Sequence, residues 1–79
     1  MTIYTILLDN PTICNQFVSR ARYCPYNIDV QSGRKIVDGK SLLGLFTLNL
    51  SIPVTVTVHA TEERSDDFMT WLDTVSRNS

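Results

Sequence analysis

What is scarce in this sequence narrows its chemistry before any pattern is read. Among 79 residues there is one histidine, His59, and there are two cysteines, Cys14 and Cys24. The thiols stand ten positions apart with no histidine near them, fewer ligands than a metal site needs. In a reducing compartment they read most simply as small buried or half-buried thiols, with a disulfide or redox sensing as the lesser alternatives. Charge is sparse in both signs: seven Lys+Arg against eight Asp+Glu leave a net charge of -1. That balance makes no field to hold nucleic acid, and no basic run is interleaved with aromatics. Nucleic-acid binding is not expected.

Long apolar runs are absent as well. No window approaches the roughly 18 residues of a membrane span, and Met1 to Leu8 lacks the basic start of a secretory signal. The expectation is a cytoplasmic chain with no membrane association. A glycine loop for phosphate, a histidine–carboxylate pairing, a metal constellation and a nucleophile–base set are all missing from the pattern. Catalysis is therefore not expected, nor a cofactor or metal. What is present is an ordinary globular mixture, 43% hydrophobic and 19% charged. A chain this short makes one domain of modest stability, burying somewhat over ~60% of its unfolded surface.

Thr2 to Leu8 reads as a strand with Tyr4, Ile6 and Leu8 on one face, although Ile3 and Leu7 suggest partial cover on the other. Asn10-Pro11 then opens a helix, since Asn is a good N-cap and Pro suits the first helical position. Ile13, Cys14, Phe17, Val18 and Ala21 form its apolar stripe, Arg20 and Arg22 lie near its end, and Tyr23-Cys24-Pro25 stops it. Asn27 to Gln31 and Arg34 to Asp38 read as a hairpin about Ser32-Gly33. Asp38-Gly39 breaks the chain before a serine and a short apolar helix of about two turns. Ile52-Pro53 opens the cleanest strand, with Val54, Val56, Val58 and Ala60 against Thr55, Thr57 and His59. Ser65-Asp66-Asp67 opens a last helix with Phe68, Trp71, Leu72 and Val75 as its stripe, and Ser76 to Ser79 is expected to fray. Glu62-Glu63 and Asp66-Asp67 read as solvated helix-start charges, and Trp71 as core. One antiparallel sheet with helices on a single face follows, because each strand has one apolar side to cover.

The stretch Lys40-Ser41-Leu42-Leu43-Gly44-Leu45-Phe46-Thr47-Leu48 carries the most information. A serine hydroxyl there can cap the helix, and a phosphate would sit at its positive end. Leu42, Leu43, Leu45, Phe46 and Leu48 cannot all point inward on so short a helix. Leu45 and Leu48 are expected to face the sheet with Leu42 at the boundary, leaving Leu43 and Phe46 exposed as a docking surface together with Thr47. The alternative is that Leu43 and Phe46 are covered by the Asn49-Leu50-Ser51-Ile52 connection.

Lys40-Ser41-Leu42-Leu43-Gly44 resembles the regulatory serine region of the histidine-containing phosphocarrier family (HPr) of the bacterial sugar phosphotransferase system. The likeness extends over almost the whole chain. Phe17-Val18 and Ala21 match the first helix's stripe, Leu45 and Leu48 its buried aliphatics. Ser32-Gly33-Arg34-Lys35 resembles the hairpin turn with the glycine displaced by one. The resemblance implies an α+β open-faced β-sandwich, a four-stranded antiparallel sheet with three helices on one face. In that family a histidine at the N-cap of the first helix carries phosphate from phosphoenolpyruvate, helped by an arginine. Here Asn10 stands at the histidine position and Thr12 at the arginine position. An amide nitrogen, its lone pair delocalised into the carbonyl, is no phosphoryl nucleophile.

The resemblance therefore implies an HPr-like protein without phosphocarrier chemistry that acts by protein binding. Ser41 matches the serine that a dedicated kinase phosphorylates in some members, whose phosphorylated form binds a transcriptional regulator. Lys40 could add a cation to such a phosphate. The implied partners are a serine kinase, phosphotransferase-system enzymes or a transcriptional regulator, met through Leu42, Leu43, Phe46 and Thr47 by a monomer or weak dimer. Two alternatives stand beside this: a constitutive interaction or structural module in which Ser41 is only a cap, and a genuine phosphocarrier using another residue. His59 is the available imidazole for the latter, but it reads as a mid-strand surface histidine paired across the sheet.

Overall fold

Alternating valine and threonine set the centre of the fold. The computed structural model describes residues 1–60 and 67–77, in the order β1 (Thr2–Ile6), α1 (Pro11–Ala21), β2 (Ile28–Ser32), β3 (Lys35–Asp38), α2 (Leu42–Leu45), β4 (Val54–Val58) and α3 (Asp67–Arg77). The strands form one antiparallel sheet in the order β1-β4-β2-β3. The register sets Ile6 opposite Val54, Tyr4 and Val30 opposite Val56, and Ile28 opposite Val58. Directly opposed residues share a face, so the period of two in each strand gathers these side chains on one side.

All three helices cover that side. Cys14, Phe17, Val18 and Ala21 of α1, Leu45 of α2, and Phe68 and Leu72 of α3 join the same buried cluster as the strand valines. Phe17 meets the Phe68 ring edge-on at 5.6 Å, and the Arg20 guanidinium lies 5.0 Å from the centre of the Trp71 ring. Trp71 is half-buried against the core, as its place in the stripe implies. The other side of the sheet carries Thr55, Thr57, Asp29 and Gln31, with Ile3 and Ile36 exposed near its two edges. The arrangement is the α+β open-faced one expected from the sequence.

Several boundaries move, each for a local reason. β1 ends at Ile6 rather than Leu8, yet Leu8 stays fully buried and its carbonyl accepts from Cys14 Sγ at 3.3 Å. Ile3 is exposed, so the second face of β1 is not covered there by described residues. The hairpin closes at the Ser32–Lys35 pair, which makes Gly33-Arg34 the turn instead of Ser32-Gly33. Gly33 has φ +60, and a positive φ at the first turn position alone is the type II′ geometry that calls for glycine. β4 starts at Val54, past Pro53, with Ile52 half-exposed outside it.

The helix after Ser41 is four residues long, not about two turns. Its continuation tightens: Thr47 N–H donates to the Gly44 carbonyl and Leu48 N–H to the Leu45 carbonyl, both i to i−3 bonds. α3 runs through Ser76 to Arg77, so the expected fraying does not begin at Ser76. Asp67 lies in its first turn, whereas Glu62, Glu63, Ser65, Asp66, Asn78 and Ser79 lie outside the described residues.

Candidate functional site

Both helix starts singled out in the sequence are capped by side chains. Asn10 is extended (φ -143, ψ 155), and its Oδ1 accepts from the Ile13 N–H at 2.9 Å. Pro11 follows at the position where a missing N–H costs nothing. The amide at position 10 is thus used in holding α1, while Thr12 is exposed in its first turn. No acidic residue occupies that turn, so no carboxylate within it competes for the free N–H groups there.

Ser41 repeats the geometry at α2. Its backbone is extended (φ -113, ψ 111), and its Oγ accepts from the Gly44 N–H at 3.0 Å. Gly44 suits the close fit: a Cβ there would lie 3.2 Å from Ser41 Oγ and 3.3 Å from Val37 Cβ, so its neighbours would have to give by a few tenths of an ångström. α2 is thereby held against β3. Leu45 and Leu48 are buried, and Leu42 and Ser41 are half-buried. Leu43 is 80% and Phe46 50% exposed, with Thr47 also exposed and its hydroxyl donating to the Gly44 carbonyl. The division of inward and outward side chains is the one the sequence suggested, and the 49–52 connection does not cover Leu43 or Phe46.

Lys40 is oriented otherwise than the sequence suggested. Its Nζ donates to the Cys24 carbonyl at 2.8 Å, and the Arg22 Nε donates to the Lys40 carbonyl at 3.1 Å. These two bonds latch the end of α1 to the residue before Ser41, so Lys40 is committed to a structural contact. Tyr23 lies beside this latch and is 90% exposed, because α1 has already ended with Arg22 as its C-cap. Arg22, Tyr23 and Leu42 line a shallow cleft between the two helices with Asn15, Val18 and Ser19. The sequence marked Tyr23 only as part of a helix terminator; its aromatic character next to a chain stop was the available signal.

His59 is paired across the sheet, as the sequence suggested, but its partner is a carboxylate, a pairing the sequence pattern had not shown. His59 lies just beyond β4 rather than mid-strand, and its Nε2 is 2.8 Å from Asp29 Oδ2. Asp29 opposes Thr57, so His59 is its diagonal neighbour on the open face. Thirty residues separate the two in sequence, which is why spacing could not reveal them. His59 is anchored by its N–H to the Asn27 carbonyl at 2.9 Å. With side chains 39% and 46% exposed, such a pair contributes about 0–1 kcal/mol. Among the described residues no serine, threonine or cysteine hydrogen-bonds the ring, so the pair lacks a nucleophile to activate.

Both cysteines are free and buried. Burial first, and the Asp9 carboxylate second, push the Cys14 thiol above its ordinary value, away from the reactive thiolate. Among the described residues no group of three metal-ligating side chains forms, and no helix is long and apolar enough to cross a membrane. Compared with known proteins, the sequence matches no family model and no curated protein.

Proposed function

We propose that this chain is an HPr-like protein of the bacterial cytoplasm that acts by binding other proteins and does not relay phosphate through position 10. Its docking surface is Leu42, Leu43, Phe46 and Thr47, and phosphorylation of Ser41 switches that surface. Its partners are phosphotransferase-system enzymes, a serine kinase or a transcriptional regulator. The observation that carries the reading is the pair of large apolar side chains, Leu43 and Phe46, left exposed one turn apart and directly after a capping serine. Exposed apolar neighbours favour a partner that removes them from water. A phosphate on Ser41 Oγ would add roughly -1.5 to -2 charge beside them, with the Gly44 N–H as its nearest donor. Asn10 supports the other half: its amide has no nucleophilic lone pair and its oxygen already serves Ile13.

Incubation with ATP and an HPr serine kinase should add one phosphate by intact mass to wild type and none to Ser41→Ala. Incubation with phosphoenolpyruvate and the upstream phosphotransferase enzyme should add none to either. Leu43→Asp and Phe46→Asp should abolish capture of the partner while keeping the circular dichroism of wild type. A phosphoenolpyruvate-dependent mass gain would instead identify a working phosphocarrier.

A second reading is favoured by the cap itself. Ser41 is half-buried with its Oγ engaged, and Lys40 is turned to the Cys24 carbonyl instead of toward a phosphate. In that reading the surface binds constitutively and Ser41 only starts α2. Absence of phosphate on wild type after kinase treatment, with docking intact, selects it.

A further inference from the structure

β3 is an edge of the sheet, and its main chain leaves donors and acceptors without partners among the described residues. The hairpin closes at Ser32–Lys35, Val37 pairs with Val30, and the Gly39 N–H donates to the Ile28 carbonyl at 2.7 Å. The odd-numbered residues of this strand therefore bond toward β2. By the alternation of an antiparallel ladder, the N–H and C=O of Ile36 and the N–H of Asp38 point away from the sheet. The Asp38 carbonyl is already used by the Ser41 N–H at 3.0 Å, and its Oδ1 by the Lys40 N–H at 2.9 Å.

The side chains along this edge form a pattern whose two ends carry opposite charges about an apolar centre. Arg34, Ile36 and Asp38 fall two residues apart, and all three are exposed, Ile36 by 58%. Among the described residues the ion pair formed is His59–Asp29, so Arg34 and Asp38 have no oppositely charged partner there. A strand carrying a cation, an apolar residue and an anion at this spacing is complementary to itself in antiparallel pairing. About a two-fold axis at Ile36, each Arg34 opposes Asp38 of the second copy and the two Ile36 side chains meet between them. On the other face Lys35 opposes Val37, where its aliphatic stem can lie while the ammonium stays in water. The same register lets the two Ile36 residues exchange N–H···O=C bonds and each Asp38 N–H reach the Arg34 carbonyl of the other copy.

Charge also selects against the other arrangements. A parallel pairing would set Arg34 against Arg34, and a shift to an axis at Val37 would set each Ile36 against a carboxylate. We propose that β3 is a self-association edge, and that two copies of this chain join there into one continuous eight-stranded antiparallel sheet. This stands apart from docking through α2 and does not depend on it. Four-residue strands bury little area, so the association is concentration-dependent.

Sedimentation equilibrium of the full chain over a wide concentration range tests it, starting from a monomer mass of 9.0 kDa. Wild type should shift toward twice that mass as concentration rises. Arg34→Asp should lose the dimer, since each new carboxylate would face Asp38, and so should Asp38→Arg. The double variant Arg34→Asp with Asp38→Arg should regain it, because both pairs re-form with reversed sign. Ile36→Pro should remain monomeric with a native circular dichroism spectrum, its lost N–H being the outward one. A wild type that stays at 9.0 kDa throughout overturns the proposal. So does a dimer indifferent to Arg34→Asp or Ile36→Pro, or an edge that pairs with an extended peptide but not with a second copy.

Discussion

The starts of α1 and α2 use the same device and reach different ends. At each, an extended cap residue accepts from the N–H three positions on, at 2.9 Å for Asn10 and 3.0 Å for Ser41. α1 continues for 11 residues and α2 for four. The cap cannot be the cause, because both caps satisfy one donor. The difference is burial. α1 presents Cys14, Phe17, Val18 and Ala21 to the core over three turns, whereas α2 buries only Leu45 within its span. Helical length here follows the apolar surface that packing can cover, and propensity or capping alone does not sustain it. Where cover ran out, apolar side chains stayed outside, and that leftover is the candidate docking surface.

Removing the burial behind α1 should have the largest effect. Phe17→Ala empties a fully buried site between the sheet and Phe68, and should cost about 3–5 kcal/mol in chemical denaturation. A cost below about 1 kcal/mol would mean that the core does not hold α1. Next comes the contrast within α2. Leu45→Ala should cost about 2–5 kcal/mol, while Leu43→Asp should stay within about 0.5 kcal/mol of wild type. Equal losses at both positions would show that Leu43 is covered and that the docking surface does not exist.

The caps themselves should differ little. Asn10→Ala and Ser41→Ala should each cost about 1 kcal/mol, since each orphans one N–H. Hydrogen exchange should localise the first loss at Ile13 and the second at Gly44; protection unchanged at those amides would sink the cap assignment.

The smallest effect is a pH dependence carried by Cys14, whose thiol is raised in the fold above the ordinary value of 9.0. Its contribution is fully present below that ordinary value, where the thiol is protonated in both states. It falls as pH rises past it, because the unfolded chain ionises before the folded one. The stability of wild type against denaturant should therefore fall above pH 9 more than that of Cys14→Ala, and parallel curves would contradict the burial of the thiol.

Much of the fold was legible because its signals are short-ranged. Asn10-Pro11 names a helix start through one hydrogen bond and one missing N–H. Val54, Val56 and Val58 name a packed face through a period of two. Ser41 named its own cap, and Leu45 against Leu43 followed from crowding on a short helix. The candidate site was legible in its residues and not in its geometry: Lys40 reaches the Cys24 carbonyl, which no local rule contains. The hairpin turn moved by one residue because the register with β2, and not the Ser-Gly dipeptide, placed the positive φ.

By itself, then, the amino-acid order determined the identity and sequence of elements, the caps and the inward faces, since each depends on contacts within about four residues or on a repeating period. Only the tertiary structure decided that α2 stops at Leu45, that Tyr23 stands in solvent, that His59 meets Asp29, and that the outward main chain of Ile36 lies on a free edge. Those outcomes come from pairing and packing between segments distant along the chain.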